Sequence, residues 1–316
     1  MHPAESIEHF VTLFDSHFLP MGMALHASLM THAQPFHLWV ICMDEQVEAQ
    51  LDLLALPHLT LLPLRELEDA RLLMVKPGRS RGEYCWTVTP FTFEAVFRRD
   101  GNVKRVTYLD ADLFFFADPR ILLRELEVAG KHVLITEHAY APEYDSTFRQ
   151  ECGRFCVQFL TFRNTPEAQR VMNWWQEKCL EWCFDRCEPG RFGDQKYLDC
   201  WPETFSEETH VVQQVEKTLA PWNVNYFARE AQGAVAPVFY HFHGFRIRNR
   251  REVMVSRYYD IGNTGMLICD NYINTLKSIF KILSDNSIDI PVVRDNTGFF
   301  KKIFRRIARI DRYKCI

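Results

Sequence analysis

Asp110 and Asp112 stand one residue apart at the end of an apolar run, Val103-Lys104-Arg105-Val106-Thr107-Tyr108-Leu109. Two carboxylates placed there cannot both be buried without a cation beside them. Hard oxygen ligands at this spacing suit Mg²⁺ or Mn²⁺. An ion so held clamps a diphosphate and takes up the charge that grows on a leaving nucleoside diphosphate. Asp112 is expected as the direct ligand, with Asp110 reaching metal or ribose. The bland alternative is a turn, since Asp commonly ends a strand. The context argues for more: Tyr108-Leu109 precede the pair, and apolar residues and Asp118-Pro119 follow it.

A pair of acids needs elements to hold it. His9-Phe10-Val11-Thr12-Leu13-Phe14 reads as a buried strand ending on Asp15, and Phe36 to Met43 as a second ending on Asp44. A helix is expected over 19–32, with Met21, Leu25, Leu29 and Met30 at core-facing spacing. A helix over about 45–56 and a short strand at 59–62 continue the alternation. A helix over about 83–99 contains Pro90, which begins or kinks it. The strand at 103–110 carries the acids, and the helix after Pro119 closes that unit. Further strands are expected at 132–136 and 156–162, and Thr165-Pro166-Glu167 opens a long helix to about Cys183. Strands and helices alternating at this spacing predict an α/β fold with a mainly parallel sheet flanked by helices. In such sheets ligands sit at the C-terminal strand ends, where Asp110 and Asp112 emerge.

Tyr108-Leu109-Asp110-Ala111-Asp112 resembles the Asp-x-Asp motif of GT-A-fold glycosyltransferases, in particular the family-8-like retaining enzymes of bacterial polysaccharide and lipopolysaccharide synthesis. Gly193-Asp194-Gln195-Lys196-Tyr197-Leu198-Asp199 is similar to the Asp-Gln segment that those enzymes place beside the donor sugar. His241-Phe242-His243-Gly244 is similar to their His-x-x-Gly segment, whose His completes the metal site. The three motifs come in the family's order, and the resemblance covers roughly residues 8–248. It implies a GT-A catalytic domain over 1–248, with 249–316 as a C-terminal extension. It also implies Mn²⁺ or Mg²⁺ held by Asp110, Asp112 and His241, with a nucleotide-sugar donor, UDP-linked by preference. Asp15 would meet the nucleotide base. Asp194 would hold sugar hydroxyls, and Gln195 would face the reacting carbon opposite the leaving group.

Two departures from the family pattern stand out. The Lys-Pro-Trp after His-x-x-Gly is absent, so Arg246, Arg248 or Arg250 is expected to supply positive charge to the diphosphate. Where the family reads Asn-x-Gly, this chain reads Cys156-Val157-Gln158. Each functional residue also has a plainer reading. Asp194 would N-cap the helix after it, His241 and His243 would pack against Phe239, Phe242 and Phe245, and Trp222 would be either a buried aromatic or a platform for an acceptor sugar.

Residues 245–265 read as polar and irregular, and 269–284 as an amphipathic helix. In 299–313, Phe300, Ile303, Phe304, Ile307 and Ile310 form one stripe, with Lys301, Lys302, Arg305, Arg306, Arg309 and Arg312 on the other faces. That composition suits a helix lying on an anionic membrane surface. The alternative is a helix docked on the catalytic domain. The acceptor expected is accordingly a glycan or glycolipid, and the location cytoplasmic, at or near the inner face of the inner membrane.

A net charge of −4 over 316 residues argues against a nucleic-acid partner. No signal-like start and no apolar run of about 20 residues is evident, so the ten Cys are expected to be reduced. Cys179, Cys183 and Cys187 have four-residue spacing, as do Cys152 and Cys156, but none forms a Cys-x-x-Cys pair, which makes zinc the weaker reading. Two competing functions remain. A nucleotidyltransferase would carry a Gly-rich phosphate loop after its first strand, which Phe14-Asp15-Ser16-His17-Phe18 lacks. A non-catalytic scaffold would have no need of Asp110, Asp112, Asp194 and His241 together.

Overall fold

A computed structural model describes residues 7–292 and 311–315. The chain begins with β1 (Glu8–Phe14), α1 (Leu19–His32), β2 (Phe36–Cys42), α2 (Glu45–Leu54) and β3 (Leu59–Pro63), three parallel strands joined by helices. The short helices α3 (Leu64–Leu67) and α4 (Ala70–Val75) follow. Next come α5 (Arg81–Val88) and α6 (Thr92–Arg99), parted by a 3₁₀ turn at Thr89–Phe91. The single helix expected over 83–99 is thus two, because Pro90 cannot donate to the turn before it. Ser80 starts α5 with a capping box to Glu83.

The strand β4 (Arg105–Leu109) lies beside β1 and runs parallel to it. After it come β5 (Leu113–Phe115), α7 (Arg120–Ala129), β6 (Val133–Glu137), α8 (Pro142–Cys152), β7 (Phe155–Arg163) and α9 (Pro166–Glu181). The Thr165 hydroxyl accepts from Ala168 N at the start of α9, with Pro166 in the first turn, as the sequence predicts. The helix α10 (Trp201–Thr204) leads to β8 (Thr209–Val211), and the described sheet runs β3-β2-β1-β4-β7-β6-β8. β7 is antiparallel to both β4 and β6, and the other pairings are parallel.

Alternation along the strands fills two cores. Phe10 and Phe14 of β1, Leu38 and Val40 of β2, and Leu109 of β4 join one cluster with α1 and α7. Val11, Leu13, Trp39, Ile41, Val106 and Tyr108 join the other, against α5, α6 and α9. A period of two thus builds a helix–sheet–helix sandwich.

The remaining elements are β9 (Thr218–Leu219), α11 (Val224–Glu230), β10 (Phe239–His241), β11 (Arg246–Asn249), β12 (Glu252–Arg257), α12 (Gly262–Asp285) and β13 (Asp311–Cys315). β10 pairs with β5 and β9 in a second, small sheet. Residues 245–265, read from the sequence as irregular, instead hold the β11–β12 hairpin and the start of α12. The reason is the apolar trio Val253-Met254-Val255, all buried beneath charged flanks. β13 adds to β12 as an antiparallel strand. The basic helix expected over 299–313 falls outside the described residues except for its end, which belongs to β13.

α1 is buried along most of its length, from Leu19 to Leu29, because α12 covers the side turned from the sheet. At Gly22 a Cβ would lie 2.5 Å from the Phe14 ring. Gly22→Ala should therefore destabilise the fold by about 1–3 kcal/mol through overpacking, despite a gain of about 1 kcal/mol in helix propensity. Urea denaturation measures this, and a variant as stable as the parent would mean that Phe14 yields its place.

Candidate active site

Strand pairing brings the sequence-distant residues together. β5 starts directly after Asp112, and its antiparallel register sets His241 of β10 opposite Leu113. Phe242 N donates to Asp112 O at 2.8 Å, locking this pairing one residue further. On the other side β4 and β7 pair Leu109 with Phe159, and Asp110 N donates to Gln158 O at 3.0 Å. Asp110, Asp112, His241 and Gln158 thus meet where two ladders end. The first three are the metal ligands expected from the sequence, and Gln158 is new.

His241 is 4% exposed and points its Nε2 between the two acids, 3.1 Å from Asp112 Oδ1 and 3.6 Å from Asp110 Oδ2. Its Nδ1–H donates to Gln158 Oε1 at 2.7 Å. That bond assigns the tautomer, because with Nδ1 protonated the neutral ring offers its Nε2 lone pair to the carboxylates. Three acceptors then converge on one point, which only a proton or a cation can satisfy. Burial alone would lower the His241 pKa, but Asp112 and the bond to it outweigh burial and hold it well above the ordinary value. Burial pushes Asp112 up, and His241 more than reverses that, bringing it down to about 2. Burial and then Asp112 leave Asp110 raised to about 6, with His241 opposing. The donor set of two carboxylates and an imidazole fits Mn²⁺ better than Mg²⁺.

Around this core, the Tyr108 hydroxyl donates to Asp110 Oδ1 at 3.1 Å. Asp194 is 5% exposed, and burial followed by repulsion from Asp110 raises its carboxyl to about 8. Thr89, on the turn forced by Pro90, has its hydroxyl in reach of both Asp194 and Tyr108. Trp175 Nε1 anchors the Asp194 backbone carbonyl at 2.8 Å. The structure therefore sets Asp194 beside Asp110, and its side chain caps no helix: the 3₁₀ turn that follows begins after Gln195 without a side-chain cap. Gly193 has φ +53°, and its Cα faces the Trp86 ring, where a Cβ would sit 3.3 Å away. Gln195 donates its amide to Cys152 O at 2.9 Å, at the end of α8.

Asp15 lies at the C-terminal end of β1, accepting from His17 N and Phe18 N. Arg81 of α5 pairs with it at 2.7 Å and also reaches Asp44 at the end of β2. Arg246 lies where Asp112 acts on its charge, and its guanidinium stands 6.0 Å over the Phe18 ring. It therefore connects the acid pair to the Asp15 corner. Arg248 sits on the hairpin against Met254. Trp222 is 3% exposed, donates to His138 O at 2.6 Å and meets the His241 and His243 rings edge-on, so it shapes the histidines and is no open platform.

Sequence reasoning gives no role to Arg81 or Gln158, and weighs Cys156 only with Cys152, in the weaker zinc reading. Arg81 has no motif around it, and its acidic partners lie in other units of the chain. Among the described residues, Asp110, Cys156 and His241 form the group of His, Cys, Asp or Glu with ligand-like spacing, all within 4.8 Å. Cys179, Cys183 and Cys187 form no such group among the described residues.

No family model matches the sequence. It is 32% identical over 306 residues to the uncharacterized protein YfnD of Bacillus subtilis, covering 91% of this chain and 96% of that protein. The chain belongs to the YfnD family. YfnF of the same organism, also uncharacterized, is 30% identical over 254 residues, covering 77% of the chain and 84% of YfnF. Among solved structures, the YfnD-family chain is similar to the galactosyltransferase LgtC in complex with donor and acceptor sugar analogs. The TM-score is 0.51 at 13% identity, over 85% of this chain and 95% of that one. An active-site mutant of LgtC gives a TM-score of 0.54 at 12% identity, over the same shares. The glycosyltransferase GlyE of Streptococcus pneumoniae gives 0.51 at 13%, over 91% of this chain and 65% of that one. These likenesses show the fold, which is that of the GT-A glycosyltransferases.

The titrations predict a pH dependence. Burial holds His9, His26, His32, His37, His138 and His243 below the ordinary imidazole value, so their share of stability rises with pH up to about 6.5. Asp110 and Asp194 sit above the ordinary carboxylate value of about 3.9, so from about pH 4 to 8 these two bind more protons in the folded state, and their contribution falls as pH rises. His241 adds to this, its contribution complete below about pH 6.5 and lost as pH climbs through its raised value. Asp112 acts in the opposite sense only below about pH 4. In chelator, Asp194→Asn, which fixes the neutral form of that side chain, should gain on the parent in unfolding temperature between pH 5.5 and pH 8. A difference between the two that stays constant over that range would contradict a protonated Asp194.

Proposed function

We propose that this YfnD-family chain is a metal-dependent glycosyltransferase that moves a sugar from a nucleotide-sugar donor, a UDP-sugar by preference, to a glycan or glycolipid acceptor with retention of anomeric configuration. One observation carries the reading. Asp110, Asp112 and His241 converge at the C-terminal end of the central strand of a GT-A fold, with the histidine tautomer set for ligation.

Asp110, Asp112 and His241 would hold Mn²⁺ or Mg²⁺, and such an ion stabilises the charge that develops on the leaving diphosphate. Arg246 adds a fixed positive charge from the Phe18 side, in place of the family's lysine, with Arg248 further along the same strand. Asp15 lies where a base would be read, with Arg81 closing that corner. Asp194, buried beside Asp110 and held protonated near neutral pH, can donate one hydrogen bond to a sugar hydroxyl and accept others. Gln195 presents an amide dipole at the wall beside it, tied to Cys152, where an oxocarbenium-like centre would be steadied.

Manganese with UDP should raise the unfolding temperature more than either alone, since ligand at about a hundred times Kd stabilises by about 2.7 kcal/mol. Asp112→Asn should remove that shift and lower turnover by at least about a hundredfold. NMR of the first product should show the donor's anomeric configuration. Absence of a shift with every nucleoside diphosphate would defeat the reading, and an inverted product would defeat its retaining part.

The basic, apolar-striped composition of 299–310 supports attachment to an anionic membrane surface bearing the acceptor. Among the described residues, no helix is long and apolar enough to cross a membrane. The full chain should co-sediment with anionic liposomes, and a chain ending near Asp295 should not. Equal binding by both would remove this part.

A further inference from the structure

The residue that standard oxygen and nitrogen ligation leaves unexplained is Cys156. It lies on β7 two residues before Gln158, and the period of the strand puts both side chains on the face turned toward His241. The residue is 4% exposed, and its thiol lies near the His241 imidazole. Sγ, a carboxylate oxygen of Asp110 and a ring nitrogen of His241 all lie within 4.8 Å of one another. A tetrahedral ion with bonds of about 2.0–2.3 Å holds its ligands roughly 3.5 Å apart, a separation within reach of a side-chain rotation. A buried Cys is ordinarily a small apolar filler. This one packs beside Ala220 and Trp222 and also faces an imidazole and an acid. A second feature points the same way: the buried Gln158 Nε2 has no hydrogen-bond partner, while Oε1 is committed to His241 Nδ1. An amide held at the expense of its other half is what orientation of a metal-binding imidazole requires.

Resting on the metal-dependent reading above, we propose that Cys156 is a thiolate ligand of the same ion. Ligation releases its proton to solvent and forms a metal–sulfur bond beside those of Asp110, Asp112 and His241. Thiolate and imidazole donors favour borderline transition ions, and affinity rises from Mn²⁺ through Co²⁺ to Zn²⁺, while Mg²⁺ gains nothing from sulfur. The site therefore selects an ion of the Co²⁺ or Zn²⁺ class over Mg²⁺ and over Mn²⁺.

The test uses the full chain, stripped by chelator and titrated with Co²⁺. A thiolate-to-cobalt charge-transfer band should appear in the near ultraviolet. Zn²⁺ should abolish it, and a thousandfold excess of Mg²⁺ should leave it. Cys156→Ser should lose the band and weaken Co²⁺ binding by at least about tenfold, with circular dichroism unchanged. Cys179→Ser should keep both band and affinity. Cys156→Asp, which exchanges sulfur for oxygen, should shift preference back toward Mn²⁺ and serves as the second variant if the serine form does not fold. A band that persists in Cys156→Ser, or Co²⁺ affinity unchanged in both Cys156 variants, overturns the thiolate ligand and leaves the glycosyltransferase reading standing. Co²⁺ and Mn²⁺ binding that survive His241→Ala undiminished would place the ion elsewhere and overturn both.

Discussion

His241 Nε2 facing two carboxylates is the interaction on which the site turns. It exists because two ladders end at the same place. β10 runs back along β5 and delivers the imidazole opposite the residue after Asp112, while β7 runs back along β4 and delivers Gln158 opposite Asp110. Were either register displaced by one residue, the side chains would swing to the other face. The aromatic layers beneath, with Phe159 stacked on Phe239 and both against Phe115, hold those registers. Apolar packing thus places Asp110 and Asp112 side by side at a buried point, where the two carboxylates repel one another.

That repulsion is tolerated because the surroundings tune it. Tyr108 gives a hydrogen bond to Asp110, Gln158 orients the ring, and Asp194 keeps its proton when Asp110 is charged. The protein thereby carries its excess of acid as a set of shared protons, which a divalent cation can replace. Pro90 belongs to the same economy of position. By splitting α5 from α6 it turns Thr89 toward Asp194 and Tyr108.

Much of this was legible in the sequence. The strand-and-acid endings at Asp15, Asp44 and Asp110 gave the sheet and its C-terminal edge, and the Asp110, Asp194 and His241 motifs named residues that the fold brings near one another. Local pattern suffices there because each motif lies at an element end, with turn and strand signals beside it. Gln158 and Cys156 were not legible as site residues. They lie inside a buried strand, where a polar side chain has meaning only once the partner across the ladder is known. Arg81 escaped for a similar reason, since its partners lie 66 and 37 residues away. The β11–β12 hairpin was hidden by charged residues that flank a run of only three buried apolar ones.

The burial of α1 has a bearing on how the protein is made. α1 leaves the ribosome well before the cover over its outer side, which is α12, Gly262–Asp285. At about 5–20 residues per second, the helix waits on the order of ten to fifty seconds for that cover. During this interval Met21, Leu25 and their neighbours form an open apolar band on a nascent chain, a target for chaperones. A helix made well after α1 is therefore what closes it.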